Sequence, residues 1–500
     1  MLILNICAKI RGCLWLALLG VLAIVSEPAS AQTCTVNWTN VHQQIDGFGA
    51  CIAFTDVPMT SAQAATLFGT NNGQIGFSLW RSKINTNQDW STETTNAAFA
   101  HQYGAKVLGT PWTPPASMKS NNNGIGGTLN TGQYGAYASY LNLAANSIGL
   151  DYVSMQNEPD ANVMYESCSW TGTNMENWCA SNAPAVGRPI VMPESEDFKT
   201  SLSDPTLNDS TAASNVTIIA GHIYGAFPLP VYTNALTHGK HIWMTEHYNT
   251  AGNTNTYMAT TNILCAVHMA WEIGECMNEQ MNAYIWWRCY HPAYAYDDLI
   301  IGATPNVTGY AVAQFAHFVR PGYMRLDVST SNTNLSVTAF KATNSGSFAI
   351  VAVNTNVGPS IVQTFNLANF PAVSSVTPWI TSATLSLSNQ TPVAVSSSSF
   401  TYTLPAQSVV TFVGQGYVAP ASITISNVSY NPITSAFVLT WNSTLGATYS
   451  VFRTNALNGP VAQWPVMVTG YPFGGASGGP LSYTDTTATL SPAFYQVSSP

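Results

Sequence analysis

Two carboxylates end apolar runs in this chain, in Ser154-Met155-Gln156-Asn157-Glu158-Pro159 and in Trp243-Met244-Thr245-Glu246-His247. A charge among apolar strand residues is costly unless paired, so a structural role for either would need a partner such as Arg81. One glutamate in such a place is as often structural as catalytic. Two of them, with Asn157 directly before the first, suit hydrolysis of a glycosidic bond. There one carboxyl protonates the leaving oxygen, and the other attacks the anomeric carbon or activates water. That chemistry requires the two pKa values to differ, with the acid's raised by burial or by its charged neighbour, and the apolar and aromatic surroundings supply such an environment around both. The residues alone leave open which glutamate takes which role.

The elements that must position this pair are legible as short apolar runs separated by stretches long enough for a helix, the spacing of βα units around a parallel sheet. The runs are Ile45–Ala50, Ile75–Ile84, Lys106–Trp112, Tyr152–Glu158, Pro189–Ser195, Val216–Tyr224, His241–His247 and Ala283–Trp287. Eight such units predict an α/β fold, a (β/α)8 TIM barrel over residues 47–320, whose active site lies at the C-terminal strand ends. The two glutamates would then end strands four and seven. Helices are expected at Gln133–Ser147 and Thr254–Ile273. After about Pro321 the texture becomes alternating Val, Thr, Ser and aromatic residues, which predicts a side β-sandwich over 321–415, joined by an N-terminal segment, 32–46. A joint near Gly416–Ser422 leads to an immunoglobulin-like or fibronectin-like β-sandwich module over 422–500, with Trp441 in its core and Trp464 at its surface.

Only 7% of the 500 residues are charged and 46% are hydrophobic, against about 25% charged in an average soluble domain. The polar surface must therefore come from Ser, Thr, Asn and Gln, a usage that fits neutral, hydroxyl-rich partners. The net charge of −9 excludes the basic footprint of a nucleic-acid binder. Residues 1–31 read as a secretory signal peptide: Lys9 and Arg11 precede the apolar run Cys13 to Val25, and Ala29-Ser30-Ala31 offers a cleavage site. The run is too short to span a membrane, and no later one would serve. The chain is thus expected to be secreted, monomeric and free of membrane and nucleic acid.

Cleavage would leave seven cysteines, Cys34, Cys51, Cys168, Cys179, Cys265, Cys276 and Cys289, with Cys168 and Cys179 the expected local disulfide. No C-x-x-C occurs and the histidines are scattered, so neither a metal site nor a cofactor is expected.

The pairing of Asn157-Glu158-Pro159 with Glu246 resembles clan A of the glycoside hydrolases. Longer stretches resemble family 30, in particular its xylanase subfamily 8. These are Gly47-Phe48-Gly49, Gly109-Thr110-Pro111-Trp112-Thr113-Pro114-Pro115, Ser203-Asp204-Pro205, His222-Ile223-Tyr224-Gly225, Trp243-Met244-Thr245-Glu246, Trp286-Trp287 and Phe318-Val319-Arg320-Pro321-Gly322-Tyr323. Leu404-Pro405-Ala406-Gln407-Ser408 extends the likeness into the side domain, so that it covers roughly Thr35 to Val413. The resemblance implies a retaining endo-β-1,4-xylanase acting on xylan, with Glu158 as general acid/base and Glu246 as nucleophile. It also implies that Asn157 bonds the substrate 2-hydroxyl, that Arg81 and Tyr224 orient Glu246 with His222 in the same network, and that Trp112 and Trp286 line the cleft. Tyr165, Trp170, Tyr248 and Tyr290 are candidates for loop subsites.

Glucuronoxylan-specific members of that subfamily carry tandem arginines after the paired tryptophans. Here the loop reads Arg288-Cys289-Tyr290-His291-Pro292-Ala293-Tyr294, with Tyr290 and His291 in their place and Arg288 two residues early. A bidentate arginine fork depends on position, so weak or absent dependence on glucuronate is expected. The alternatives are a glucuronate-specific or disaccharide-releasing xylanase, another family 30 β-glycanase, and an inactive glycan-binding protein.

Overall fold

The computed structural model describes residues 32–500 apart from 226, 249, 252–255, 258, 292–296, 418–422, 444–446, 458–463, 473–474, 477–478, 488–492 and 500. The expected secretory segment 1–31 and residues Pro292-Ala293-Tyr294 of the strand-eight loop lie outside the described residues.

Eight parallel strands close a barrel: β1 (Gly47–Cys51), β2 (Leu79–Lys83), β3 (Lys106–Thr110), β4 (Tyr152–Ser154), β5 (Ile190–Ser195), β6 (Ile218–His222), β7 (His241–Glu246) and β8 (Ala283–Trp286). Each pairs with the next, and β8 closes on β1 with Trp286 beside Ala50. Parallel strands covered on both faces are apolar almost throughout, which is why these eight stand out as runs in the sequence. The period of two divides them. Leu79, Leu108, Val191, Ile218, Ala220, Trp243 and Ile285 fill the barrel interior. Neighbours of opposite parity, such as Trp80, Met244, Tyr284 and Trp286, pack outward against the helices.

The helices are α1 (Ser61–Phe68), α2 (Ser91–Gln102), α3 (Tyr134–Ile148), α4 (Gly172–Ser181), α5 (Thr200–Asn208), α6 (Ser210–Ser214), α7 (Thr233–Thr237), α8 (Ile263–Asn278) and α9 (Val307–Ala316). The expected helix at 133–147 is α3, one residue later. The one expected at 254–273 begins only at Ile263, because the Asn262 side chain accepts from the Leu264 amide and caps it there. Before it, Thr250–Ala251 and Thr256–Tyr257 pair as a short hairpin instead.

A ten-stranded sheet flanks the barrel, and the N-terminal strand Gln32–Gln44 runs within it between Met324–Thr330 and Ile361–Ala368. Helix α9 ties this sheet to the barrel: Gln314 donates to Thr381 Oγ1 and accepts at its carbonyl from Thr411. Beyond it, two three-stranded sheets enclose a core around Leu439, Trp441, Tyr449 and Val451. Trp441 is buried there, and Trp464 is half-buried.

The expected disulfide does not form: all seven cysteines are free and buried. Cys179 lies on the inner face of α4, capped by Thr171, rather than in a loop, and its thiol faces Thr206. Cys168 lies apart, against Lys119 and Leu129. Burial pushes the Cys179 thiol up to about 12 and the Cys168 thiol to about 11, so both stay protonated. Among the described residues, no helix is long and apolar enough to cross a membrane.

Candidate active site

Strand alternation sends Arg81, Thr110 and His222 into the barrel mouth, since each shares parity with an interior residue of its own strand. Glu246 does not share parity with Trp243. On β7 the register slips by one residue, with Gly221 opposite Met244 but His222 opposite Glu246. This bulge at Thr245 turns the glutamate inward. A second slip on β5, between Pro193 and Ser195, places Glu194 in the same space with φ 51°. Glu158 also sits in the left-handed region, at φ 42°. Such backbone strain in a non-glycine residue persists only where the surroundings fix it.

Arg81 is the hub of the site. It is 1% exposed and donates from Nη1 to Glu246 Oε2 at 2.5 Å, from Nη2 to Asn157 Oδ1 at 2.6 Å, and from Nε to Glu194 Oε1 at 3.2 Å. Tyr224 donates to the other Glu246 oxygen at 3.0 Å. On the opposite side, His222 Nδ1 lies 3.0 Å from Glu158 Oε1, and Tyr165 donates to Glu158 Oε2 at 2.8 Å. One oxygen each of Glu158 and Glu246 and one ring nitrogen of His222 fall within 4.8 Å of one another. Among the described residues this trio is the one cluster compact enough to hold a metal ion, but Arg81 already supplies the cation there.

The charges are strongly interdependent. Burial would lower His222, yet Glu246, Glu158 and Glu194 together raise it to about 9. Burial works to raise Glu194, but Arg81 and His222 bring it down to about 2. Glu158 is held below the usual carboxylate range because His222 and Tyr165 outweigh its burial. Glu246 stays above that range: burial and the Glu158 charge outweigh His222 and Arg81. The order is the reverse of the expected one, in which the acid, Glu158, would be the raised group, because the His222 imidazolium faces Glu158 directly.

The pair opens into a cavity of about 540 Å³, lined by Phe54, Trp112, Tyr165, Glu196, Tyr224, Tyr248, Trp287, Arg288 and His291. Phe54, Trp112 and Trp287 form one aromatic wall, with ring centroids 5.2–6.2 Å apart. The Arg81 guanidinium lies 4.8 Å from the Trp112 ring centre. Of the residues singled out in the sequence, Glu158, Glu246, Asn157, Arg81, His222, Tyr224 and Trp112 meet here, and of the loop candidates Tyr165 and Tyr248 line the cavity.

Trp286 does not join them. It is 1% exposed among the helices and donates from Nε1 to the Asp297 carbonyl, and Trp287 forms the wall. Tyr290 packs against the barrel core and Trp170 stacks on Tyr134, so neither lines the cavity. Glu194, Glu196, Phe54 and Trp287 were not singled out. Parity from Ile285 points to Trp287, and Glu194 is a charge at a strand end like Glu158 and Glu246.

No protein-family model matches the chain. It is 35% identical over 409 residues to the glucuronoxylanase XynC of Bacillus subtilis (strain 168), covering 78% of this chain and 93% of that protein. The chain belongs to glycoside hydrolase family 30. Among solved structures, the family 30 subfamily 8 xylanase Xyn30A of Clostridium acetobutylicum is 34% identical, with a TM-score of 0.70 over 77% of this chain and all of that one. A family 30 endoxylanase of Clostridium papyrosolvens C71 is 33% identical, with a TM-score of 0.68 and the same coverage. This family 30 chain is therefore a glycoside hydrolase with a TIM barrel and a side β domain.

Proposed function

We propose that this enzyme is a secreted, retaining endo-β-1,4-xylanase that cleaves xylan by double displacement. The observation that carries the reading is the approach of Glu158 and Glu246 within 4.8 Å at the mouth of a barrel whose relatives are named xylanases. Retaining enzymes hold their two carboxyl groups about 5–5.5 Å apart, whereas inverting ones leave room for a water. Glu246 accepts hydrogen bonds at both oxygens, from Arg81 and Tyr224, as an anionic nucleophile would. Glu158 faces His222, and the proton it must deliver is stored on that ring, 3.0 Å from Oε1. Asn157, oriented by Arg81, meets the 2-hydroxyl.

Two findings support weak dependence on glucuronate. Arg288 lines the cleft, but its Nε and Nη2 both donate to Asp297 Oδ2, at 2.8 and 2.6 Å. Burial and the Arg288 charge push His291 below the ordinary imidazole range, so it offers a uronate no charge at neutral pH. Undecorated chains would be held on Trp112 and Trp287, since a sugar's C–H face packs well on an aromatic ring.

Glu158→Gln and Glu246→Gln should each cost at least about 10³-fold in kcat, and azide should convert a small non-acid variant at 246 into a producer of inverted glycosyl azide. Near wild-type turnover in either variant would remove that residue from its role. On matched oligomers with and without one glucuronate, kcat/KM should agree within about tenfold. A preference above about 100-fold that Arg288→Ala abolishes would instead make the enzyme glucuronate-specific. For export, N-terminal sequencing of protein recovered from the medium should begin at Gln32.

A further inference from the structure

Behind the nucleophile lies a buried carboxylate that the chemistry above does not use. Glu272, on α8, is 2% exposed. Its Oε1 receives His247 Nδ1 at 2.8 Å and the Tyr284 hydroxyl at 2.5 Å. Removing a carboxylate from water costs several kcal/mol, and well-packed apolar residues often serve stability as well or better. Its presence therefore calls for a reason other than stability. We infer that Glu272 is a positioning residue for the nucleophile, acting through His247 and Tyr224; the inference rests on Glu246 having that role.

The path is continuous. Burial would raise Glu272, but His247 and Tyr284 hold it below the usual carboxylate range, so it is an ionised acceptor and fixes the proton on His247 Nδ1. With its tautomer and tilt set, the imidazole lies 5.0 Å from the Tyr224 ring centre. Tyr248 and His222 complete the enclosure of that ring at 5.5 and 6.0 Å. The Tyr224 hydroxyl in turn meets Glu246 Oε1. His247 also follows Glu246 directly in the chain, and its carbonyl accepts from the Trp287 amide at 2.9 Å. One helix-borne carboxylate thus sets both the donor to the nucleophile and the start of the aromatic wall. A displacement of about 1 Å at such a group can cost about 10²-fold.

The test measures kcat, KM and Tm for Glu272→Leu and Glu272→Gln on aryl β-xylobiosides with good and poor leaving groups, with Glu246→Ala and azide as the control. Glu272→Leu should lose about 100-fold in kcat and Glu272→Gln about tenfold, since the amide oxygen still accepts from His247. KM should stay within about threefold for the poor leaving group, and the loss in kcat/KM, which reports the first displacement for either leaving group, should be equal for both, because the effect lies on the nucleophile and not on the acid. A folded Glu272→Leu or Glu272→Gln with kcat/KM within about twofold of wild type overturns the inference, as does a loss of kcat/KM confined to poor leaving groups. If Glu272→Leu does not fold, Glu272→Gln decides alone. Retained turnover in Glu246→Ala would instead overturn the assignment of the nucleophile itself.

Discussion

Arg81 and His222 bring two cations into a space shared by Glu158, Glu194 and Glu246, so each proton there depends on all five groups. Glu194 pairs with Arg81, whereas in the proposed mechanism His222 exchanges its proton with Glu158. The rate should therefore follow a bell in pH. Its acid limb lies above about 4.5, where Glu246 loses its charge as pH falls, and its alkaline limb reflects loss of the proton shared by His222 and Glu158. In His222→Asn the burial of Glu158 is no longer opposed by an imidazolium, and the acid must hold its own proton. The alkaline limb should move to lower pH, and a limb unchanged in a pH series of kcat/KM would contradict proton storage on the ring. Stability follows the same groups. His222, raised in the folded state, contributes stability that is complete below about 6.5 and lost as pH rises through about 9; Glu194, depressed, contributes above about 4.5 and loses it as pH falls through about 2. Melting temperature against pH should show the alkaline decline in the wild type and a flatter course in His222→Asn.

At the scale of the element, the period of two decides which side of a strand each residue serves, and a bulge reverses that choice locally. The eight strands were legible because buried parallel strands are continuous apolar runs, and Glu158 and Glu246 because a charge interrupts such a run. The bulges at Thr245 and Glu194 were not legible, since nothing in the residue types marks a slipped register. Glu272 was hidden for a different reason: a glutamate within a helical stretch reads as solvent-facing, and this helix starts nine residues and ends five residues later than the sequence pattern suggests. The paired tryptophans show what alternation can still give. Ile285 faces the interior, so Trp286 must face the helices and Trp287 the mouth. Trp286→Ala should therefore destabilise the fold by about 3–5 kcal/mol, the usual cost of emptying a buried aromatic site. Trp287→Ala should leave the melting temperature nearly unchanged and raise KM for xylo-oligosaccharides. The reverse pattern in denaturation and steady-state kinetics would show that the wall is misassigned.

Across the whole molecule, and apart from two short hairpins in the barrel's loops, the described strands fall into three groups that do not pair with one another: the barrel, the ten-stranded sheet and the two small C-terminal sheets. The first two are bound through α9, where Gln314 bonds Thr381 and Thr411 across a buried contact. The N-terminal strand also spans the region, because Asn282 donates to the Gln44 carbonyl beside β8. The ten-stranded sheet therefore cannot be removed without exposing the outer face of the barrel helices. The C-terminal sheets stand differently. Their strands pair only among themselves, and they close over their own core at Trp441 and Tyr449. The ion pair of Arg453 with Asp485 also lies within these sheets. Among the described residues, those that line the cleft lie between Phe54 and His291, far from this region in sequence. Removing residues 418–500 should therefore leave kcat/KM on short soluble xylo-oligosaccharides within about twofold, since no catalytic or cleft-lining group is lost. The isolated module, residues 423–499, should fold and unfold cooperatively, with the Trp441 fluorescence reporting its melting. Loss of activity in the shortened enzyme, with the module folding by itself, would mean that the module holds the barrel in its active form.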